Sequence, residues 1–287
     1  MSTSIGVILK AGKKQVEHRP DDIYGLFMGP INQVIDLILY RRIIYALLPN
    51  RLTDRYHGSF LGILWSLLNP LLTMVGLAIV FPLIAKFQVG DYPLFLFSGI
   101  LPWGFINASV LSGGDSIRFS EQLIKKVYVP KIILPYIFVT VEAINMIIAL
   151  VALGILGIIF GYSLHPRIVY LFFSFVVIYV FCLGIGFITS ILVVYFRDIQ
   201  HITGVMLQTI FYASAIIYPV SVLPPRFQSL MEFNPFFQFI RLFHVAINPT
   251  INGGWELFEI PIILALSTFY IGLITQWKFG RQTVFRI

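Results

Sequence analysis

One acidic side chain lies where acids are rare. Glu142 sits between Val141 and Ala143 in the middle of a long apolar run. A charge at the centre of a bilayer costs at least about 2.5 kcal/mol on insertion scales, so an intramembrane acid is a candidate for function. Glu142 could instead be a hydrogen-bonded strut, held by Asn145 one turn along a helix or by a neighbouring helix. Both interpretations are open at this point.

The glycines and lysines near the N-terminus resemble a phosphate-binding loop only superficially. Such a loop needs four residues between its glycines and Ser or Thr after its lysine, because the backbone wraps the phosphates and the hydroxyl meets magnesium. Here five residues separate Gly6 from Gly12, and Lys14 occupies the position of the hydroxyl. We therefore predict that this chain holds no cofactor and does not hydrolyse ATP alone.

Catalytic and metal-binding patterns are equally sparse. The five histidines are scattered without the spacing of metal ligands: His18, His57, His165, His201 and His244. Phosphate chemistry at a membrane normally needs clustered carboxylates or basic groups, and no pair of acids accompanies a histidine within an apolar run. We predict no catalytic residue and no metal site. A membrane-embedded enzyme acting on lipid-linked sugars is the alternative from another functional class.

Long apolar runs must position these residues. The 287 residues are 58% hydrophobic and 11% charged, whereas soluble domains carry about a quarter charged residues. A helix of roughly twenty apolar residues crosses the hydrocarbon core. Six runs reach or approach that length: 56–85, 92–114, 132–160, 168–196, 202–218 and 257–277. We predict an all-α integral membrane protein with six transmembrane helices in residues 59–280, a cytoplasmic segment 1–58 and a short cytoplasmic tail 281–287.

Basic residues are distributed unevenly among the segments between the runs. Alternate segments, starting with residues 1–58, hold sixteen Lys and Arg, and the intervening segments hold four. Because basic residues favour the cytoplasmic side, both termini are predicted to be cytoplasmic. The net charge of +7 then reflects topology and some attraction to anionic membrane lipids. Nucleic acid is not expected as a partner.

The segment before the first run carries a helical pattern. Apolar residues recur there at helical spacing: Ile31, Val34, Ile35 and Ile38. The pattern predicts an amphipathic helix that either lies in the cytoplasmic interface or packs on the rest of the protein. Pro49 is expected to end this helix before the basic-aromatic stretch 51–56, whose Arg55 and Tyr56 we place at the membrane interface.

Two further segments have patterns of their own. The loop 115–131 is predicted to be cytoplasmic, and its stretch 121–128 could be a solvated connector or a short helix that inserts into a partner protein.

Residues 218–250 are apolar but contain five prolines, which prevent one continuous helix. We predict two short helices there, near 225–231 and 235–247, that re-enter the outer leaflet because neither is long enough to span it.

Aromatic side chains, which make up 16% of the chain, could line a path for sugars. Most aromatic residues in membrane proteins face lipid or the interfaces, but a ring face also offers sugars a dry platform. The candidates are Trp65 in the first run and Phe211, Tyr212 and Tyr218 in the fifth. Each of them, taken alone, is more typical of packing.

Residues 55–71 combine a basic-aromatic approach with Gly-Ser, Leu-Gly, Leu-Trp-Ser and Asn-Pro in that order. In this order they resemble the first span of the ABC type-2 polysaccharide export permeases. Residues 123–130 are similar to the cytoplasmic coupling helix of that family. The resemblance continues through residues 195–198, 218–219 and 234–235. It therefore covers nearly everything from about residue 51 to the C-terminus.

The resemblance implies a homodimer in the cytoplasmic (inner) membrane with two copies of a P-loop ATPase, which would bind the ATP and Mg. It also implies a channel for an undecaprenyl-type, lipid-linked polysaccharide such as O-antigen, bordered by the first and fifth spans. The implied channel or lateral-gate residues are Trp65, Asn69, Phe211, Tyr212 and Tyr218. The implied ATPase-coupling residues are Leu123, Ile124, Lys125, Lys126, Val127 and Tyr128. Teichoic acid, capsule or a small lipid are alternative substrates of the same architecture.

Overall fold

The described part of the chain is entirely helical. The computed structural model describes residues 23–85, 92–159, 167–248, 251, 253–280 and 282–285. Eleven α-helices lie within these ranges: α1 Ile23–Leu39, α2 Arg41–Tyr56, α3 Trp65–Ala85, α4 Tyr92–Phe119, α5 Glu121–Lys126, α6 Ile133–Ile159, α7 Ile168–Tyr195, α8 Asp198–Tyr212, α9 Pro225–Glu232, α10 Pro235–Ile247 and α11 Glu259–Phe279. Because these ranges contain no strand, the predicted all-α class is confirmed.

Four helical ranges among the described residues are long and apolar enough to cross a membrane. They are Tyr92–Lys126, Ile133–Ile155, Ile168–Tyr195 and Trp255–Phe279. Each overlaps one of the predicted runs, but α4 continues to Phe119 and so includes the first residues of the segment that we predicted as the loop 115–131. The other two runs correspond to α3 and α8, which differ from the expected bounds in ways that the backbone explains.

The first apolar run is divided between two helices. Tyr56 is the last residue of α2, and α3 begins only at Trp65. Between them Gly58 and Gly62 have φ angles of 78° and 51°, a left-handed region that glycine adopts without a Cβ clash. Hydropathy does not detect this break, because the interrupting residues are themselves uncharged. Residues 56–85 are therefore not the single helix that we predicted.

The prediction that Pro49 ends the N-terminal helix is wrong. The chain turns at Tyr40, and Pro49 lies inside α2. A proline inside a helix removes one backbone hydrogen bond, but α2 continues because its later turns contact α6, as described below. The preceding helix α1 begins at Ile23, eight residues before the predicted pattern.

The apolar residues of α1 face two directions. Val34 and Leu37 pack against the core, whereas Ile31, Ile35 and Ile38 are exposed. One side of α1 is therefore packed on the protein, and the other is available to a membrane interface. The two interpretations drawn from the sequence are both compatible with this arrangement.

Glycines bring the central helices α4, α7 and α11 close together. A Cβ added to Gly113 of α4 would lie 2.9 Å from the Cα of Gly186 in α7. A Cβ added to Gly184 would lie 2.5 Å from the backbone of Thr268 in α11. Lipid tails are as apolar as Leu, so close backbone approach of this kind drives helix association in membranes.

We expect Gly184→Ala to destabilise the α7–α11 contact. The added methyl meets backbone rather than a flexible side chain, so the helices must separate, and overpacking of this kind costs about 1–3 kcal/mol. Thermal unfolding of the purified protein in detergent measures the effect. Gly154→Ala is the control, because nothing lies within 4 Å of its added Cβ. Equal unfolding temperatures for both variants would contradict the prediction.

The fifth run forms a shorter helix than predicted. α8 has 15 residues and ends at Tyr212, which gives a length of about 22 Å. The next residues form a buried turn in which Ala215 has a φ of 50°. The carbonyls at the end of α8 accept hydrogen bonds from side chains, at 2.9 Å from Asn234 to Ala213 and 2.8 Å from Tyr218 to Tyr212. These bonds satisfy the helix end and allow the chain to turn before residue 218.

The two short helices predicted after the fifth run are confirmed as α9 and α10. Their bounds agree with the predicted ones to within one residue. Asn234 caps α10, since its Oδ1 accepts from the amides of Phe236 and Phe237 at 3.0 and 3.3 Å. Phe239 and Phe243 are fully buried, so α10 is packed into the bundle against α4 and α7.

Candidate functional site

A cavity of about 430 Å³ lies between α2, α3, α4, α6 and α8. This volume falls in the range of small-molecule sites, roughly 300–1,000 Å³. Seven residues singled out in the sequence line it: Arg55, Tyr56, Trp65, Asn69, Glu142, Asn145 and Phe211. The fold therefore brings together residues from four helices that are far apart along the chain.

Two of the predicted channel residues lie elsewhere. Tyr212 is 59% exposed and is not among the residues that line the cavity. Tyr218 is half-buried and holds the end of α8 through its hydroxyl. Their positions favour a structural role for Tyr218 and an outward-facing position for Tyr212.

A polar network belongs to the cavity lining. The Arg55 guanidinium donates a hydrogen bond to Oε1 of Glu142 and forms an ion pair with it. Asn145 donates from Nδ2 to the second carboxylate oxygen of Glu142 at 3.4 Å. Tyr56 donates from its hydroxyl to Oδ1 of Asn145 at 2.7 Å. The observed contacts favour the strut interpretation of Glu142, with Asn145 as predicted and Arg55 as an additional partner.

A cation–π contact extends this connection between α2 and α6. The Arg51 guanidinium lies 4.1 Å from the ring centre of Phe138 and 5.5 Å from that of Phe119. From Arg51 to Arg55 along α2, the contacted residue of α6 changes from Phe138 to Glu142. Residue numbers therefore increase in the same direction along both helices. α2 therefore runs alongside α6 in parallel. This contact explains why α2 continues past Pro49.

Aromatic rings also line the cavity. Trp103 of α4 is 6% exposed, and its ring centre lies 5.9 Å from that of Phe211 and 5.8 Å from that of Phe236. Sequence reasoning missed Trp103, because a tryptophan inside an apolar run is ordinary packing material. Only its convergence with Phe211 and Trp65 at one cavity distinguishes it.

The chain matches a known protein family over most of its length. The sequence profile of the ABC-2 type transporter family matches residues 42–248. The chain belongs to this family. The matched residues include the whole cavity lining, and the resemblance to the ABC type-2 polysaccharide export permeases is confirmed.

Several named relatives of this ABC-2 protein are export proteins. It is 32% identical to the O-antigen export system permease protein RfbA of Myxococcus xanthus over 193 aligned residues. This alignment covers 67% of this chain and 74% of the relative. A protein of the same name from Klebsiella pneumoniae is 29% identical over 184 residues, 63% of this chain and 70% of the relative. The polysialic acid transport protein KpsM of Escherichia coli is 24% identical over 244 residues, 79% of this chain and 90% of the relative.

The family and the apolar helices together define the location of the chain. It is a multi-pass protein of the inner membrane. Members of the ABC-2 family are the membrane subunits of transporters. Within the described residues, no group of three or more His, Cys, Asp or Glu side chains could hold a metal ion.

The predicted coupling segment of this ABC-2 protein divides into a packed part and an exposed part. α5 ends at Lys126, and Val127 is extended. Leu123 and Ile124 are half-buried against a small apolar cluster: Ile117, Leu134, Ile191 and Val194. Lys125 and Lys126 are exposed, as are Val127 at 46% and Tyr128 at 68%. We call residues 125–128 the exposed coupling surface.

A hydrogen-bonded contact between α4 and α8 was not predicted. Gln200, near the start of α8, donates from Nε2 to Oδ2 of Asp115 at 2.8 Å and to the carbonyl of Leu111 at 3.1 Å. Asp115 and Leu111 belong to α4, which leads directly into α5. Gln200 therefore connects α4 to α8, which contributes Phe211 to the cavity.

Proposed function

We propose that this chain is the permease subunit of an ATP-driven exporter of a lipid-linked polysaccharide of the O-antigen type. The observation that supports this most directly is the 32% identity with a protein named O-antigen export system permease. The cavity agrees with a sugar substrate, because it combines aromatic faces at Trp65 and Trp103 with polar groups at Asn69 and Thr73.

The proposed topology has six crossings, formed by α3, α4, α6, α7, α8 and α11, with both termini in the cytoplasm. The uneven distribution of Lys and Arg supports the sidedness. We further propose that α1 lies in the cytoplasmic interface with its exposed isoleucines in lipid, and that α9 and α10 re-enter the outer leaflet. The 21-residue α3 is about 31 Å long, which suits a crossing.

The proposed assembly is a homodimer with two ATPase subunits. The outward sides of α3 and α8 are apolar and exposed: Leu72, Val75 and Ile79 on α3, and Ile202, Val205 and Met206 on α8. These sides suit contact with lipid or with a second copy around a shared channel. Membership of the ABC-2 family supports a separate ATPase partner, and the exposed coupling surface is its proposed contact.

A deletion strain tests this function. Cells lacking the chain are expected to accumulate lipid-linked polysaccharide on the cytoplasmic side and to display none at the surface. Re-expression should restore display only with an ATPase that can hydrolyse ATP, and an ATPase variant without that activity is the control. Unchanged surface polymer after deletion would refute the proposal, as would glycan synthesis or cleavage by the purified chain, which the enzyme alternative predicts.

Capsular polysaccharide is the second candidate substrate. The match to the polysialic acid transport protein covers 90% of that relative, at lower identity than the O-antigen permease. The same deletion strain decides between the two, because the polymer that accumulates inside identifies the substrate. Accumulated teichoic acid or a small lipid would instead support the remaining alternatives.

A further inference from the structure

Among the described residues, one positively charged and one negatively charged side chain line the cavity. Of the 17 described residues that line it, only Arg55 is basic and only Glu142 is acidic. They pair with each other, and Trp65, Trp103 and Phe211 contribute aromatic rings to the same lining. Among the described lining residues, Arg55 is therefore the one positive charge available to an anionic ligand.

The two partners of this ion pair differ in accessibility. The side chain of Glu142 is 7% exposed, whereas that of Arg55 is 44% exposed. A guanidinium carries five N–H donors in a planar fork, and Glu142 accepts from one nitrogen of this fork. Donors thus remain on the accessible partner, at a cavity large enough for a ligand.

Phosphate is the ligand that best fits an accessible guanidinium. Arginine binds phosphate and carboxylate through two parallel N–H···O bonds, which are shorter and stronger than neutral hydrogen bonds. A phosphate group presents more acceptor oxygens and more negative charge than the single carboxylate of Glu142. It can therefore compete with Glu142 for Arg55.

We propose that Arg55 binds the phosphate of the lipid carrier and exchanges Glu142 for it during export. This inference rests on the proposed function, which supplies a lipid-linked substrate. When Arg55 turns toward the phosphate, Glu142 keeps the bond from Asn145, and the charge-assisted bonds between Arg55 and the phosphate offset the cost of separating the ion pair. The sugars next to the phosphate then lie against Trp65 and Trp103, since these rings line the same cavity.

The exchange predicts opposite effects for the two partners. Glu142→Gln removes the competing carboxylate, so phosphate binding should tighten. The double variant Arg55→Gln/Glu142→Gln removes both charges and leaves no unpaired one, so it should fold but bind phosphate more weakly. A purely structural ion pair would not produce a gain of binding in one variant and a loss in the other.

The test is equilibrium binding of ³²P-labelled undecaprenyl diphosphate to the full chain in phosphatidylcholine nanodiscs. We expect about tenfold weaker binding in the double variant and tighter binding in Glu142→Gln, since a charged hydrogen bond is worth roughly that factor. Unlabelled sodium pyrophosphate should compete, and undecaprenol should not. Thermal unfolding of each variant confirms that it is folded.

Three outcomes would overturn the inference. These are wild-type affinity in the folded double variant, weaker binding in Glu142→Gln, and displacement of the probe by undecaprenol. Competition by phosphatidylglycerol equal to that by unlabelled undecaprenyl diphosphate would identify membrane phospholipid as the source and overturn the lipid-carrier assignment. If deletion abolishes surface polymer while the double variant binds normally, only this inference fails. If deletion leaves surface polymer unchanged, the proposed function itself fails.

Discussion

Arg55→Gln is expected to lower the free energy of unfolding by about 2 kcal/mol, because it leaves the Glu142 carboxylate without its cation. Glu142 is almost fully buried, so water cannot replace the guanidinium. The partial exposure of Arg55 keeps the expected loss below that of a fully buried pair. Thermal unfolding in detergent, followed by size-exclusion chromatography, measures the change.

Adding Glu142→Gln to Arg55→Gln is expected to restore most of the lost stability. The double variant has no charge left to compensate, and an amide at position 142 can still bond with Asn145. Arg41→Gln is a matched control, since Arg41 is an exposed arginine at the start of the same helix, and its effect should stay within about 0.5 kcal/mol. A double variant as unstable as Arg55→Gln would show that the ion pair is not the cause.

Replacing the exposed coupling surface is expected to abolish export. The variant Lys125→Glu/Lys126→Glu/Tyr128→Ala reverses the charge, which disfavours the original partner. It also removes a large exposed tyrosine ring, and tyrosine is among the residues whose loss at an interface costs about tenfold or more in binding. We expect the ATPase to be lost from affinity-purified permease and surface polymer to disappear. Copurification assays and surface immunoblots measure the two effects.

Two controls separate this effect from misfolding. Arg226→Glu reverses an exposed charge on α9, far along the chain from α5, and should leave ATPase binding unchanged. Leu123→Ala removes a side chain that packs on the bundle, so it should lower thermal stability. Normal copurification of the ATPase with the triple variant would rule out residues 125–128 as the contact.

Hydropathy and proline placement were sufficient to predict most of the helices. The apolar runs located α4, α6, α7 and α11, and the prolines located α9 and α10 almost to the residue. The runs gave the wrong bounds for α3, because Gly58 and Gly62 adopt left-handed backbone angles. They also gave the wrong end for α8, because side chains bond to its last carbonyls. Neither effect changes the local hydropathy from which the bounds were predicted.

The candidate site was only partly predictable, because it depends on contacts between distant helices. Glu142 was conspicuous as an acid in an apolar run, and Asn145 followed from helical spacing. Arg55 could be placed near the membrane, but its pairing with Glu142 depends on the parallel packing of α2 on α6. Trp103 and Gln200 carried no local signal at all, since their importance comes from the partners that the fold gives them.

The short α8 has a consequence for hydration of the substrate. In the proposed topology its length of about 22 Å is less than the thickness of the hydrocarbon core, roughly 30 Å. Beyond Tyr212, the wall of the proposed channel is then formed by the turn after α8 and by the amino-terminal end of α10. Asn234 connects these two parts through its hydrogen bond to Ala213. A passing glycan would be stripped of bulk water over only part of the bilayer and would regain it in an outer vestibule.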